Sequence, residues 1–188
     1  KAGDMGLDLS ESPEVPRILT RLKELEHEGY HFEAADASFE LLIERELGVF
    51  SPLFELESFR VVTEQRADGG VETEATVKLL HEGERLVAIG EGNGPVNALD
   101  RALRNALGGR VPELDEIELV NFKVRILDEG KGTGATTRVL LDSSDGHHTW
   151  GAIGVSQNVI EASWAALIDS IAYGRSEEHT SELQSRSV

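Results

Sequence analysis

The chain has 188 residues, of which 39% are hydrophobic and 28% charged, with a formal net charge of -17 and no cysteine. That length and composition suit one domain plus an appendage, built round an ordinary core. The acidic balance works against nucleic acid and anionic membranes as partners, and the lack of cysteine removes disulfides, thiolate metal sites and a cysteine nucleophile. No apolar run approaches the roughly 20 residues of a membrane helix and no signal peptide is visible, so a cytoplasmic location is expected.

Residues 1–14 are polar and glycine-containing and read as a linker. A helical subdomain is predicted over 15–52. Pro13 and Pro16 stand where proline is tolerated in a first helical turn, Ile18, Leu22 and Leu25 form an i, i+4, i+7 stripe, and Gly29 is placed as a C-terminal cap. A second helix is predicted from about Glu33, with Phe39, Leu42, Ile43 and Leu47 on one face and Gly48 at its end. Ser51-Pro52 then breaks the chain.

From Glu57 the period becomes two. Strands are predicted at about Ser58–Gln65, Val71–Leu80 and Arg85–Gly90, with Asp68-Gly69-Gly70 and Glu82-Gly83 as turns. Gly92-Asn93-Gly94-Pro95 opens a helix that runs to about Leu107, and Gly108-Gly109 stops it. The order is then written again: a strand from Ile117 to Leu127, a glycine turn, a strand to Leu141, the turn Asp145-Gly146, a strand to Gly154 and a helix from Ser156. Ala88-Ile89-Gly90 followed by Val96, Ala98, Ala102, Leu103 and Leu107 matches Ala152-Ile153-Gly154 followed by Ile160, Ala162, Ala166, Leu167 and Ile171, without a gap. The predicted fold class is α+β, a regulatory-type domain over 57–174 made of duplicated βββα units at 57–108 and 115–174. The tail 175–188 has no apolar periodicity; it resembles the conceptual translation of a sequencing-library adapter and is set aside from fold reasoning.

Few motifs carry chemistry. His27-Glu28-Gly29-Tyr30-His31 fits the HExxH zinc pattern, but glycine stands where both imidazoles need one continuous helix. Gly90, Gly92 and Gly94 are spaced GxGxG rather than GxGxxG and follow an antiparallel strand, unlike a dinucleotide fingerprint. Two readings stay open there: a turn that merely caps the helix, or backbone amides brought close to a small anion such as an amino-acid carboxylate. Gly130-Lys131-Gly132-Thr133-Gly134 lacks the Ser/Thr and helix of a P-loop and reads as a mobile hairpin. His147-His148 reads as a solvated turn. No catalytic residue and no metal ligand set is predicted.

Gly29 to Leu42, Gly-Tyr-x-Phe-Glu-Ala-Ala-x-Ala-Ser-Phe-Glu-Leu-Leu, resembles the helical segment of citramalate synthases. Gly92-Asn93-Gly94-Pro95-Val96 with Ala98-Leu99, and Trp150-Gly151 with Gly154-Val155-Ser156, resemble the two helix starts of the allosteric domain shared with 2-isopropylmalate synthases. The resemblance covers Leu7 to Gly174. It implies a parent acyltransferase with an N-terminal TIM barrel outside this sequence, joining acetyl-CoA to pyruvate on a divalent metal (Mg or Mn), in isoleucine biosynthesis. The present region would hold no cofactor, form a homodimer and sense isoleucine as feedback inhibitor. The implied effector residues are Gly92, Asn93, Gly94, Pro95 and Val96 at the first helix start, Leu119, Phe122 and Ile126 on the second copy's first strand, and Ser156 and Gln157 at the second helix start. Plain core or interface is the competing reading for Leu119, Phe122 and Ile126. Leu119 and Phe122 have opposite strand parity, so one pocket needs a bulge between them. The alternatives are the same region of a leucine-sensing 2-isopropylmalate synthase, and a stand-alone assembly module.

Overall fold

The computed structural model describes residues 13–185, with the side chains of all but 129 and 177–185. Of the expected linker and tail, positions 1–12 and 186–188 lie outside the described residues. The elements run α1 (Val15–Glu28), a 3-10 turn (Phe32–Ala34), α2 (Asp36–Leu47), β1 (Glu55–Gln65), β2 (Val71–His81), β3 (Glu84–Gly92) and α3 (Pro95–Leu107). After a second 3-10 turn (Pro112–Asp115) come β4 (Glu118–Ile126), a third (Glu129–Gly134), β5 (Thr137–Ser144), β6 (Thr149–Ser156) and α4 (Val159–Ser185). The βββα unit thus stands twice, as two three-stranded antiparallel sheets, β1-β2-β3 and β4-β5-β6. The backbone of α4 continues through Ser185, into the segment set aside above.

The chain forms two compact units: Pro52–Ile117, and the remainder up to Ser51 together with that from Glu118 onward. In the Pro52–Ile117 unit the alternation of β2 buries Ala75, Val77 and Leu79 beneath Leu99, Leu103 and Leu107 of α3. Small residues let this helix lie close: a side chain at Gly90 would overlap the backbone of Ala102, and one at Gly92 would crowd the backbone nitrogen of Ala98. At the far end, Arg104 donates to both carboxylate oxygens of Asp100 (2.9 and 3.0 Å), to the Ile117 carbonyl (2.7 Å) and to the Leu114 carbonyl. One guanidinium therefore ties α3 to the turn that follows it. Burial raises the Asp100 carboxyl above its ordinary value, against the pull of Arg104.

In the other unit, α4 sets Ala162 and Ala166 on a core of Val139, Leu141 and Ala152, with Leu119 packed beside it. Gly154 repeats the role of Gly90, since a side chain there would overlap the Ala162 carbonyl. Trp150 donates from Nε1 to the Ser170 carbonyl at 2.9 Å, which anchors the strand to α4. α2 and the 3-10 turn before it cover the free edge of β6. There the Gly151 amide donates to Asp36 Oδ1 at 2.8 Å, and the Ile153 amide donates to Ser38 Oγ at 3.0 Å.

Two local expectations are corrected. The helix expected from Glu33 is split, because Ala35 leaves the helical region (φ -135°, ψ 58°), and α2 starts at Asp36. Its buried face is Ala37, Ser38, Leu41, Leu42 and Ile43, whereas Phe39 and Leu47 are half-buried. Starting the helix at Asp36 is what turns Asp36 and Ser38 towards β6.

Candidate functional site

The implied effector residues divide between the units. Gly92 to Val96 join β3 to α3 in the Pro52–Ile117 unit. Gly94 holds the N-cap position in extended backbone (φ 179°, ψ 173°), and Pro95 occupies the first helical turn, where its missing N–H costs nothing. The Asn93 amide donates to Asn97 Oδ1 at 3.3 Å, and Asn93 is itself exposed. Gly92 and Gly90 are explained by helix–strand contact, whereas a Cβ at Gly94 would have nothing within 4 Å. Close packing, rather than a phosphate cradle, accounts for two of the three GxGxG glycines. A cavity of about 640 Å³ beside this turn is lined by Arg60, Glu74, Glu91, Gly92 and Arg101.

In the other unit the parity conflict of Leu119 and Phe122 is resolved by a bulge. The β4–β5 register passes from Leu119 opposite Ser143 to Asn121 opposite Asp142, leaving Val120 extra. Leu119, Phe122, Val124 and Ile126 then face buried Ser143, Leu141, Val139 and Thr137, and all four share the α4 side of the sheet. The helix covers only the Leu119 end of that row: Phe122 and Val124 are each 44% exposed and Ile126 58%. Thr137 pairs with Ile126 on one side and with Ser156 on the other. Ile126 and Ser156 therefore stand in one transverse row, two strand spacings (about 10 Å) apart.

The start of α4 is closed by its own side chains. Asn158 Oδ1 accepts from the amides of Ile160 (2.9 Å) and Glu161 (3.4 Å). Ser156 Oγ donates to Glu161 Oε2 at 2.6 Å and accepts from the Asn158 amide at 3.0 Å. The helix expected from Ser156 begins at Val159, with Asn158 capping its first amides. Gln157 is exposed at the same turn.

The remaining motifs take structural roles. His27 stands in the last turn of α1, Gly29 caps that helix in the left-handed region (φ 110°), and His31 lies outside it against Glu33 Oε2 (3.1 Å), so the HExxH pair shares no helical face. Among the described residues no group of three or more His, Cys, Asp or Glu side chains is placed to hold a metal. The donor set for the divalent ion implied by the resemblance does not fit these residues, and no step is assigned to it. No helix among the described residues is long and apolar enough to cross a membrane. A second cavity, about 430 Å³, lies among Leu25, Tyr30, Phe32, Leu42, Ile153 and Ile168, with Asp169 accepting from Arg45 at 2.6 Å at its rim. Burial raises the Tyr30 hydroxyl above the usual phenol value, partly offset by the nearby Val155 backbone.

Comparison with known proteins decides the family. The model of the LeuA allosteric (dimerisation) domain matches residues 33–174. The chain belongs to this family. It is 54% identical to an (R)-citramalate synthase of Streptomyces coelicolor over 93% of its own length and 33% of the relative's. It is 50% identical to an (R)-citramalate synthase of Aquifex aeolicus over 92% of the chain and 33% of the relative. It is also 32% identical to a 2-isopropylmalate synthase of Thermus thermophilus, over 96% of the chain and 51% of the relative. The chain thus spans about a third of the citramalate synthases it matches. The duplicated βββα arrangement described above is the part of this chain that the LeuA allosteric (dimerisation) domain covers, together with α2. The features that sequence reasoning missed here are the polar residues of the Gly29–Leu42 motif: Asp36 and Ser38 serve the edge of β6, and only a tertiary partner reveals that.

Proposed function

We propose that this chain is the effector-sensing and dimerising region of a citramalate synthase-like acyltransferase, with isoleucine as the effector and catalysis left to the parent's barrel. The observation that carries the reading is the bulged β4 row. It presents Phe122, Val124 and Ile126 as an apolar strip beside α4, aligned through Thr137 with Ser156. Such a strip fits a branched aliphatic side chain and a second copy of the chain, isologous pairing being the commonest closure. The α3 start, in its own unit, offers a polar element for recognition: Asn93 and the backbone at Gly94, where a Cβ has open space and a ligand can approach.

Calorimetry with isoleucine, leucine and valine tests the reading on the wild-type chain and on Asn93→Ala and Ile126→Ala. Leu119 supports the core, so Ile126 is the cleaner probe of the apolar wall. Isoleucine is expected to bind best, and both variants to bind it more weakly. Leucine and isoleucine differ only in branching, which pockets separate by about 1–3 kcal/mol. A clear preference for leucine assigns the parent to the 2-isopropylmalate synthases, and binding of none of the three leaves the stand-alone assembly module. Light scattering at tens of micromolar that finds only monomer defeats the dimer.

A further inference from the structure

The outward edge of β6 carries two different attachments. Along it, the amides of Gly151 and Ile153 are held by Asp36 and Ser38, and the next outward residue, Val155, lies against the Tyr30 hydroxyl. One residue further on, Ser156 opens the turn into α4. The helical segment and the implied effector residues Ser156 and Gln157 therefore hang on the same eight-residue strand.

This attachment belongs to the second copy alone. A side chain at Gly151 would overlap the Ala34 carbonyl oxygen, so glycine is what lets the 3-10 turn lie on the strand. The repeat places Val87 at the corresponding position of β3. That strand's edge is closed by its own helix instead: Asn105 donates to the Ile89 carbonyl at 2.8 Å and Arg101 to the Glu91 carbonyl at 2.9 Å. The repeat has an alanine and an aspartate where these two stand, Ala165 and Asp169, and both line the cavity under the helical segment. The two copies have diverged at three positions that together admit the helical segment to one edge and exclude it from the other.

We propose that the Asp36–Gly151 and Ser38–Ile153 hydrogen bonds are the joint through which effector occupancy at the start of α4 reaches the helical segment 15–47. The proposal rests on the effector reading above. The Ile153 amide is buried, so a shift of β6 either carries Ser38 with it or leaves a buried donor unpaired. Coupling between two sites is reciprocal, which supplies two readouts for one joint.

The test is hydrogen exchange on the full chain, with and without saturating isoleucine, in the wild type and in Ser38→Ala and Gly151→Ala. In the wild type isoleucine should slow exchange of amides in 15–47 at least threefold. In both variants that response should vanish, and affinity for isoleucine should fall by the factor of protection lost. Exchange in β4 and β5, which belong to the same unit but not to the joint, reports whether a variant has kept its fold, and Ser38→Ala, the smaller change, decides if Gly151→Ala has not. An unaltered response in the folded variants, or no response in a wild type that binds isoleucine, overturns the joint and leaves the effector reading standing. A wild type that binds no branched-chain amino acid overturns both.

Discussion

Ser38 and Ile153, 115 positions apart, are joined by a hydrogen bond in which the buried Ile153 amide donates to the Ser38 hydroxyl at 3.0 Å. Removing the hydroxyl leaves a buried donor without an acceptor, which costs about 1–3 kcal/mol. Ser38→Ala should lower the stability of the unit containing α1, α2 and β4–α4 by that amount, read from the urea midpoint. A loss below about 0.5 kcal/mol would mean that water reaches the amide and that the edge of β6 is open.

How much of this was legible beforehand depended on the range of the interaction. The βββα order and its duplication were readable, because alternation, glycine turns and the Ala-Ile-Gly repeats are local or self-referring. The strand ends moved by a few residues only. The bulge was readable only as a condition, since the opposite parity of Leu119 and Phe122 demands an extra residue if both share a face; its place at Val120 was hidden, being fixed by pairing with β5. The break at Ala35 was equally hidden, since Glu33 to Leu47 has no helix-breaking residue. It is imposed by the need of Asp36 and Ser38 to meet a strand more than a hundred residues away. The Gly29–Leu42 motif therefore identified relatives before its physical purpose could be stated.

Glycines in the repeat separate packing from binding. Gly90→Ala and Gly154→Ala each drive a methyl into the backbone of the covering helix and should destabilise by several kcal/mol, the upper end of what single substitutions do. Gly94→Ala meets open space in an extended backbone that any residue adopts, so stability should change by less than about 0.5 kcal/mol. If Gly94 serves the effector, the same substitution weakens isoleucine binding at unchanged stability. Thermal melts paired with calorimetry check both halves, and loss of stability in Gly94→Ala would contradict the geometry.

Asp100 sets an unusual pH dependence. Burial raises its folded pKa above the unfolded value, so the folded state takes up its proton first as the pH falls. For such a group the stabilising contribution is present at low pH and is lost as the pH rises through the folded pKa. Acidification from neutrality should therefore recover stability at Asp100 while other carboxylates lose it. Asp100→Asn removes the recovery, and its urea midpoint should fall more steeply between neutral and mildly acidic pH than that of the wild type. Parallel acid limbs would show that Arg104 compensates the burial fully.

Tyr30 provides the complementary alkaline prediction. Its hydroxyl is raised above the ordinary phenol value of about 10 by burial, with the Asp169 and Glu28 charges adding to the shift and the Val155 backbone and Arg21 opposing it. The folded chain therefore favours the neutral phenol. The corresponding stability is complete below about pH 10 and is lost as the pH climbs through the raised folded value. The helical segment should loosen first, because Tyr30 sits between α1 and the end of β6. Titration of tyrosinate absorbance, with the two tyrosines of the chain separated by Tyr30→Phe, should show a late-titrating phenol that the substitution removes. The same substitution should flatten the fall of stability above about pH 10. A phenol at position 30 that titrates at its ordinary value would place the side chain in solvent and detach it from Val155.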